Sequence, residues 1–230
     1  MNSMLSAESA VLLHFKTLRM CFLILSCVII GGANINKYEV IRTFLKPDDF
    51  IVCCDSGLKH LDGLGIRADF VIGDFDSHAD PHLSVETVIL PREKDDTDSM
   101  AAVREMTARG FEDFLLIGVF GDRLDHTLGN VYILLWLNNR KLKAMAVDDF
   151  SEMEIVSPHS PAKVSSSYPY FSLLAINGSA EGITIKNAKY PLEQGVITAE
   201  YQYGLSNEPL EGKTAEVSLE KGNLLLIRDR

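Results

Sequence analysis

The sequence lacks the basic excess and the long apolar runs that mark two large classes of protein. Its formal net charge is −10 over 230 residues, which argues against a nucleic-acid backbone or an anionic membrane as partner, since both need a basic face. The strongly apolar run Cys21–Ile30 is too short to span a bilayer as a helix. We therefore expect no nucleic-acid partner and no membrane partner. An acidic chain is still compatible with a small polyphosphate that carries its own metal ion.

Two familiar glycine motifs for nucleotide binding are also missing. There is no G-x-x-x-x-G-K-[ST], so the chain is not a P-loop protein, and the absence of G-x-G-x-x-G argues against a dinucleotide enzyme. Any nucleotide site must therefore be built from other residues.

Cysteine is scarce, and its spacing indicates neither a metal site nor a disulfide framework. The four cysteines form no C-x-x-C pair, accompany no His-rich spacing, and all fall in apolar segments of the first quarter. Such thiols usually behave as small buried hydrophobic groups in a reducing compartment. We expect a cytoplasmic protein without a soft-metal site.

The N-terminus allows two interpretations. Lys16 and Arg19 before an apolar run resemble a signal peptide. Alternatively, the run is the first buried strand of a parallel sheet and enters a ligand-binding turn at Gly31-Gly32. We favour the strand, because the following pattern needs a first strand. Residues 1–19 are then a loose extension, and Met20 is a possible functional start.

From residue 20 to 149, apolar runs alternate with helix-like segments. This alternation predicts βαβ units, and hence an α/β domain with a Rossmann-like parallel sheet. The runs are Cys21–Ile30, Phe50–Cys54, Phe70–Ile72, Val85–Leu90, Phe114–Val119 and Leu142–Val147. The helix-like segments are Asn36–Leu45, Gly57–Leu64, Asp98–Ala108 and Thr127–Asn138.

The pattern of apolar and turn residues changes after residue 149. Residues 157–161 read as a loop, and short β-like runs separated by turn residues follow. This pattern predicts a C-terminal antiparallel β-sandwich over residues 150–230. The runs are Phe171–Ile176, Gly182–Ile185, Gly195–Tyr203, Ala215–Leu219 and Leu224–Ile227.

Two clusters of carboxylates follow predicted strands. Asp74 and Asp76 come directly after the run that begins at Phe70. Carboxylates at the carboxyl ends of parallel strands meet at the crevice where open α/β sheets bind ligands. An isolated D-x-D is more often a pair of turn acids, but a second acid cluster nearby favours a Mg²⁺ site, since Mg²⁺ takes carboxylates and substrate phosphates.

The second cluster is Asp95-Asp96-Thr97-Asp98. Acids and Thr also satisfy the free N–H groups of a helix N-terminus, and one of the four is expected to do so. Four such residues exceed what capping needs, and Asp95 and Asp98 are spaced to share one side of a first turn. Lys94 and Arg92 add cations for phosphate oxygens.

A third constellation lies between the run that starts at Phe114 and the next helix. Glycines allow the backbone to approach a ligand closely, and a helix N-terminus attracts anions. The guanidinium of Arg123 can bind phosphate. Asp125 and His126 can either hydrogen-bond a ligand or form a capping pair with each other. The motif reads Gly118-Val-Phe-Gly121-Asp122-Arg123-Leu124-Asp125-His126.

Taken together, these motifs resemble the thiamine pyrophosphokinase family. The matching pieces, in the family's order, are Gly73-Asp74-Phe75-Asp76-Ser77, Lys94-Asp95-Asp96-Thr97-Asp98, Gly121–His126 with Asn130, and Ser206-Asn207-Glu208. The chain departs from the family at Asp122, where a second glycine is common, and at Tyr190, where some members carry a tryptophan that meets the thiamine ring.

The resemblance implies a set of ligands and an assembly. It implies ATP and thiamine as substrates, Mg²⁺, and a homodimer with thiamine bound near the interface. On this basis Asp74, Asp76 and Asp98 are the expected Mg²⁺ ligands and catalytic acids. The other expected contacts to ATP or thiamine are Lys94, Asp95, Thr97, Arg123, Asp125, His126, Asn130, Tyr190, Ser206 and Asn207.

The expected reaction transfers the pyrophosphoryl group of ATP to the hydroxyl of thiamine. Either Asp76 or Asp98 takes the hydroxyl proton, and the sequence leaves that choice open.

Two rival functions remain. One is a phosphatase that forms an aspartyl-phosphate on the D-x-D pair, although His78 stands where that chemistry usually has Thr or Val. The other is a non-catalytic nucleotide or thiamine sensor, which would need fewer clustered acids.

Overall fold

A computed structural model describes residues 26–75, 85–93 and 95–230 of the chain. Residues 1–25 lie outside it, so the interpretation of residues 1–19 stays an expectation.

The strands of the first half are β1 (Cys27–Ile30), β2 (Phe50–Cys54), β3 (Phe70–Gly73), β4 (Glu86–Ile89), β5 (Asp113–Ile117) and β6 (Lys143–Val147). Its helices are α1 (Tyr38–Arg42), a 3₁₀ helix (Asp55–His60), α2 (Leu61–Leu64), α3 (Asp98–Ala108) and α4 (Leu124–Asn138).

The six strands of the first half are parallel and are covered by helices on both faces. Cys27 and Ile29 of β1 face the core under α3 and α4, whereas Val28 and Ile30 face the core under α1 and α2. All four side chains are fully buried, which explains why the strand reads as one continuous apolar run. The predicted parallel α/β half is therefore confirmed.

The second half consists of antiparallel strands in two layers. It contains β7 (Ser151–Val156), β8 (Ala162–Ser165), β9 (Tyr170–Ala175), β10 (Ser179–Lys186), β11 (Leu192–Thr198), β12 (Thr214–Ser218) and β13 (Leu224–Asp229). Strands β11, β10, β12 and β8 form a four-stranded sheet. It packs on β7, β13 and β9 around a core that includes Phe171, Leu224 and Val217. The predicted sandwich is confirmed, although the sequence pattern had missed β7 and β8.

The two halves share one nine-stranded sheet in the order β4-β3-β2-β1-β5-β6-β7-β13-β9. The change from parallel to antiparallel occurs where β7 pairs with β6, at Ala146 with Met153 and Val147 with Glu152. The composition shift near residue 149 therefore marks a change in strand direction within a single sheet.

The described cysteines agree with the expectation of buried thiols. Cys27, Cys53 and Cys54 are free and buried, and burial raises the pKa of the Cys53 thiol to about 12. No helix in the described ranges is both long enough and apolar enough to cross a membrane.

Close backbone contact joins the turn after β2 to the end of β1. A Cβ atom at Gly57 would lie 2.2 Å from the carbonyl oxygen of Ile30, and one at Gly32 would lie 1.9 Å from Ser56 Oγ. Carbonyl oxygens within a sheet cannot retreat cheaply, so Gly57 has no room for any side chain.

We predict that Gly57→Ala lowers the free energy of unfolding by about 3 kcal/mol, because the added methyl forces β1 and the β2 turn apart. Gly129→Ala is the matched control. Its Cβ meets nothing within 4 Å in helix α4, so it should be neutral or stabilising by about 0.5–1 kcal/mol. Urea denaturation of both variants measures the difference. Equal stabilities would show that the backbone contact at Gly57 is not tight.

Candidate active site

The candidate site lies at the carboxyl edge of the parallel strands. The chain passes from β1 through β2 and β3 to β4 on one side, and then returns to place β5 on the other side of β1. Such a switch in strand order, at the carboxyl edge, is where open α/β sheets bind ligands. The segments that meet there follow β1, β2, β3 and β5.

Three acids occupy the positions where β2 and β3 end and α3 begins. Asp55 follows β2, Asp74 follows Gly73 at the end of β3, and Asp98 is the first residue of α3. A Cβ atom at Gly73 would lie 2.5 Å from Asp55 Cβ, so the Asp55 side chain rests on the backbone next to Asp74. This closeness was expected for Asp74 and Asp98. Asp55 was left out of the predicted set, although an acid directly after a buried strand was the available signal.

Asp55 and Asp98 are both close enough to Cys54 for their charges to act on its thiol. The pKa of the Cys54 thiol is raised chiefly by burial, and also by the charges of Cys53, Asp98 and Asp55. Oδ1 of Asp55 and Oδ1 of Asp98 are both shielded from solvent. Two carboxylates with buried oxygens therefore border the same thiol at the end of β2.

This donor set fits Mg²⁺. Its ligands in proteins are hard oxygens, commonly one or two carboxylates together with substrate phosphates and water. In the described ranges 26–75, 85–93 and 95–230, no three His, Cys, Asp or Glu side chains form a group that could hold a metal ion. Asp76 and Lys94, both expected at the site, lie outside the described residues.

The residues of the cluster Asp95-Asp96-Thr97-Asp98, at the start of α3, have different structural roles. Thr97 is the N-cap, and its side chain accepts a hydrogen bond of 3.3 Å from the backbone N–H of Met100. Asp96 pairs with Arg104 at 3.0 Å. Asp95 is exposed and precedes the helix, so it does not share the first turn with Asp98. Within the described part of this cluster, Asp98 is the acid that borders Asp55.

The segment after β1 is fixed to the segment after β5. The Gly31 N–H donates to Ile117 O and the Ala33 N–H donates to Gly118 O, each at 2.8 Å. Further along, the backbone N–H of Asn34 donates to Asp122 Oδ2 at 3.1 Å. Asn34 Nδ2 donates to Asp122 Oδ1 at 2.8 Å. Asp122 therefore uses both carboxylate oxygens to hold the β1 segment.

The buried side chain of His60 also supports the segment that follows β1. His60 Nε2 donates to Ala33 O at 2.9 Å, and the Tyr38 hydroxyl donates to His60 Nδ1 at 2.8 Å. Burial lowers the pKa of His60, which outweighs the opposing effect of the Ala33 carbonyl. The imidazole is therefore neutral near pH 7. Sequence reasoning did not single out His60.

Arg123 is exposed at the start of α4 and is paired with Asp125 at 2.6 Å. The hydrogen bond from Arg123 lowers the pKa of Asp125. Ion pairs in water are weak, so Arg123 can exchange Asp125 for a phosphate at little cost. His126 is exposed. Asn130, in contrast, is buried and donates to Val119 O at 2.6 Å, so its amide supports the loop after β5.

The C-terminal candidates lie beside β9. Asn207 is 5% exposed, and its side chain accepts from the N–H of Tyr190 at 3.0 Å and of Glu208 at 2.9 Å and donates to Tyr190 O at 2.8 Å. These bonds hold the backbone of Tyr190 and leave its ring 60% exposed. Ser206 is exposed. Asn207 thus contacts protein backbone, and of the three predicted residues in this region Tyr190 and Ser206 are the exposed ones.

Comparison with known proteins matches both halves of the chain. Residues 41–146 match the family model described as thiamin pyrophosphokinase, catalytic domain, and residues 154–224 match the one described as thiamin pyrophosphokinase, vitamin B1 binding domain. Thiamine pyrophosphokinase of Bacillus subtilis is 27% identical over 211 residues, which are 87% of this chain and 96% of that protein.

Solved structures agree with these matches. The thiamine pyrophosphokinase of Geobacillus thermodenitrificans has a TM-score of 0.75 at 27% identity, over 90% of this chain and 98% of that one. The Bacillus subtilis structure has a TM-score of 0.76 at 24% identity, covering 89% and 98% of the two chains. Yeast thiamin pyrophosphokinase has the same fold, with a TM-score of 0.72 at 14% identity over 89% and 86%.

The buried, neutral His60 generates a prediction about acid stability. Because its pKa is lowered in the folded chain, the unfolded chain binds the proton first as the pH falls. Its contribution should be complete above about pH 6.5, the unperturbed value, and should be lost as the pH falls toward the folded pKa. We therefore expect the free energy of unfolding to fall less between pH 7.5 and 5.0 in His60→Gln than in the wild type.

The His60 variant should also be about 1 kcal/mol less stable at pH 7.5, because it loses the hydrogen bond from Tyr38. His126→Gln, at an exposed position, is the control and should keep the wild-type dependence. Urea titrations at each pH provide the measurement. Parallel curves for the wild type and His60→Gln would contradict the prediction.

Proposed function

Because the chain belongs to the thiamine pyrophosphokinase family, we propose that it transfers the terminal pyrophosphoryl group of ATP to the hydroxyl of thiamine. The hydroxyl oxygen forms a bond to the β-phosphorus, and the bond from that phosphorus to the α-phosphate oxygen breaks. The products are thiamine diphosphate and AMP, and the hydroxyl proton passes to a carboxylate. The observation that carries the proposal is the grouping of Asp55, Asp74 and Asp98 at the carboxyl edge of the sheet.

The acids have a common role in this proposal. Asp74, Asp76 and Asp98 would hold Mg²⁺, with Asp55 as an additional carboxylate beside them and Asp95 further out. Bound there, the ion neutralises charge on the phosphate oxygens and orients the polyphosphate. The position of Asp55, Asp74 and Asp98 where β2 and β3 end and α3 begins supports this role, since Mg²⁺ in proteins takes carboxylate oxygens together with substrate phosphates. Asp76 and Asp98 remain the two candidates for accepting the hydroxyl proton.

Cationic side chains complete the phosphate site. Arg123 presents a planar guanidinium that suits bidentate contact with phosphate oxygens, and its exposed pairing with Asp125 is readily exchanged. Lys94 and His126 are proposed as further phosphate contacts. Thr97 contributes by capping α3, which fixes the position of Asp98. Phosphoryl-type transfer relies mainly on such alignment and charge stabilisation.

We further propose that thiamine binds at the sandwich and reaches the acids of a second copy. Strands β2 and β9 are separated by six inter-strand steps, through β1, β5, β6, β7 and β13. At about 4.8 Å a step this is about 29 Å along the sheet, whereas reacting atoms must approach to about 3–3.5 Å. The Tyr190 region and the acids of one chain are thus too far apart to share a substrate pair, which supports a homodimer.

Helix α4 offers a surface for that second copy. Leu124, Leu128 and Tyr132 are 72%, 54% and 56% exposed. Their spacing of four residues places them in one stripe on the helix. An exposed apolar stripe of this kind is typical of an interaction surface, and it begins next to Arg123.

The exposed ring of Tyr190 supports a role in binding the cationic thiazolium of thiamine. An aromatic face attracts a cation, and Asn207 holds the backbone that carries this ring. Ser206 adds an exposed hydroxyl. Asn207 is therefore proposed to act through Tyr190.

One assay separates the proposal from its rivals. The protein is incubated with ATP, Mg²⁺ and thiamine, and AMP and thiamine diphosphate are measured. The kinase should produce both products only when thiamine is present. A phosphatase would release phosphate without thiamine, and a sensor would yield no product. Either result would overturn the proposal.

We predict that activity requires a divalent cation and that Asp55→Asn, Asp76→Asn and Asp98→Asn each lower kcat by at least about a hundredfold, since each removes a charge aligned with the phosphates. Removing one of several like charges should not destabilise the fold. Asp96→Asn is the control, because that acid pairs with Arg104 on the surface. Near-normal turnover of an acid variant at saturating Mg²⁺ would exclude the role assigned to that residue.

On the thiamine side, Tyr190→Ala should raise the KM for thiamine by roughly tenfold, within the range expected for a lost cation–π contact. The KM for ATP should change little. Tyr190→Phe keeps the aromatic face and is the matched control. Ser206→Ala combined with Asn207→Ala should weaken thiamine binding at least as strongly, because it also frees the Tyr190 backbone. Equal losses for ATP and thiamine, in a protein whose oligomeric state is unchanged by sedimentation, would contradict thiamine recognition by this region.

A further inference from the structure

The loop after β5 contains a turn that a non-glycine residue rarely adopts. The N–H of Arg123 donates to Gly121 O at 2.6 Å, so the chain reverses over three residues with Asp122 at its centre. Asp122 has a φ of 51°, in the left-handed region. Asp tolerates this region better than most side chains, but a tight turn with positive φ at its centre is strained. Such a conformation persists only where its surroundings hold it.

Asn34 holds the turn around Asp122 in this conformation. Its backbone N–H and its side-chain Nδ2 donate to the two carboxylate oxygens of Asp122 at 3.1 and 2.8 Å. The residues are 88 positions apart in the chain, so these bonds join two separate loops. Because one residue provides both donors, the pair fixes orientation as well as distance.

The loop that carries Asn34 is itself firmly anchored. Ala33 is held by Gly118 and by His60. On the other side, the backbone N–H and Nδ2 of Asn36 both donate to Asp149 Oδ2 at 2.9 Å. Asn34 therefore acts as a fixed point, and the turn around Asp122 is the part that is positioned.

The two neighbours of Asp122 are tied to helix α4. The Gly121 N–H donates to Thr127 Oγ1 at 3.1 Å, and Thr127 Oγ1 donates to Arg123 O at 3.1 Å. Arg123 is also the N-cap residue of α4. The orientation of the Arg123 backbone thus depends on contacts from α4 on one side and on the Asn34–Asp122 pair on the other.

We propose that Asp122 is a positioning residue for the nucleotide. Through its two hydrogen bonds with Asn34, its carboxylate holds the turn that presents Arg123 to the polyphosphate. This inference rests on the proposed function for the identity of the polyphosphate, ATP. It assigns to Asp122 no contact with substrate. The effect should fall on ATP and not on thiamine, because the turn follows β5 at the acid-bearing edge, and β9 beside the Tyr190 region lies four inter-strand steps away.

Two substitutions at one position separate this role from an effect of charge. In Asp122→Asn, the amide oxygen still accepts from the Asn34 N–H, and the amide N–H₂ donates to Asn34 Oδ1 once the Asn34 amide turns over. Both links survive without the negative charge. Asp122→Ala removes both links and the charge. Asp48→Ala removes an exposed carboxylate at the opposite edge of the sheet, just before β2, and serves as the control.

We expect Asp122→Ala to raise the KM for ATP by about tenfold, the cost of one to two hydrogen bonds, with the KM for thiamine and kcat within about twofold. Asp122→Asn should restore the KM for ATP to within about threefold of the wild type. Amide hydrogen exchange at Asn34 should be faster in the alanine variant and normal in the asparagine variant.

Three results would overturn the proposal. If Asp122→Asn were as impaired as Asp122→Ala, the charge and not the link would matter. An alanine variant with the wild-type KM for ATP would show that the link positions nothing. Equal changes for ATP and thiamine, with a matching fall in melting temperature, would mean that the pair only stabilises the fold.

Different results would contradict the proposed function and the role of Asp122. If the wild type forms no thiamine diphosphate, the proposed function is wrong. Calorimetric binding of a non-hydrolysable ATP analogue with Mg²⁺ to the same variants then decides the inference. A tenfold weakening in the alanine variant that the asparagine variant restores would support it, and unchanged binding in both would overturn it.

Discussion

The site depends on backbone segments that approach more closely than any side chain would allow. A Cβ atom at Gly31 would lie 2.6 Å from Gly118 O, and one at Gly57 would lie 2.2 Å from Ile30 O. These contacts bring together the segments that follow β1, β2 and β5. Because the space is taken up by backbone atoms, each segment is fixed by its neighbours, and Asp55 and Asn34 project from a rigid edge. Any larger residue would separate the loops before it disturbed the hydrophobic core.

At this edge and beside β9, many polar side chains serve as supports. Thr97 caps α3, Asn130 holds Val119, Asn207 holds Tyr190, and His60 holds Ala33. Each forms a hydrogen bond with a backbone group of a neighbouring segment or helix turn. The exposed groups, such as Arg123 and the ring of Tyr190, are the ones proposed to contact ligands. Motif residues of a family therefore divide into those suited to contact substrate and those that keep the contacting residues in place.

Sequence reasoning succeeded where local pattern decides structure. The span predicted for α3, Asp98–Ala108, is the observed one, because its cap and its apolar spacing are both local. Strand β7 was missed because it contains Glu152 and Glu154. Their charges are compensated by Arg228 and Arg230, which are more than 70 residues away in the chain. Asp55 was left out of the predicted site, since its place near Cys54 together with Asp98 depends on how β2 and α3 pack. The link between Asn34 and Asp122 has no sequence signal at all.

The uninterrupted sheet limits how the molecule can move. Many enzymes with two substrates capture them by bending at a flexible connection between two lobes, but here β6 and β7 are hydrogen-bonded neighbours within one sheet. Bending at that point would break backbone pairing along the whole seam. Opening and closing around substrates must therefore be left to loops and, in the proposed homodimer, to the contact between copies. In mechanical terms the chain behaves as a stiff plate, and substrate access is controlled at its rim.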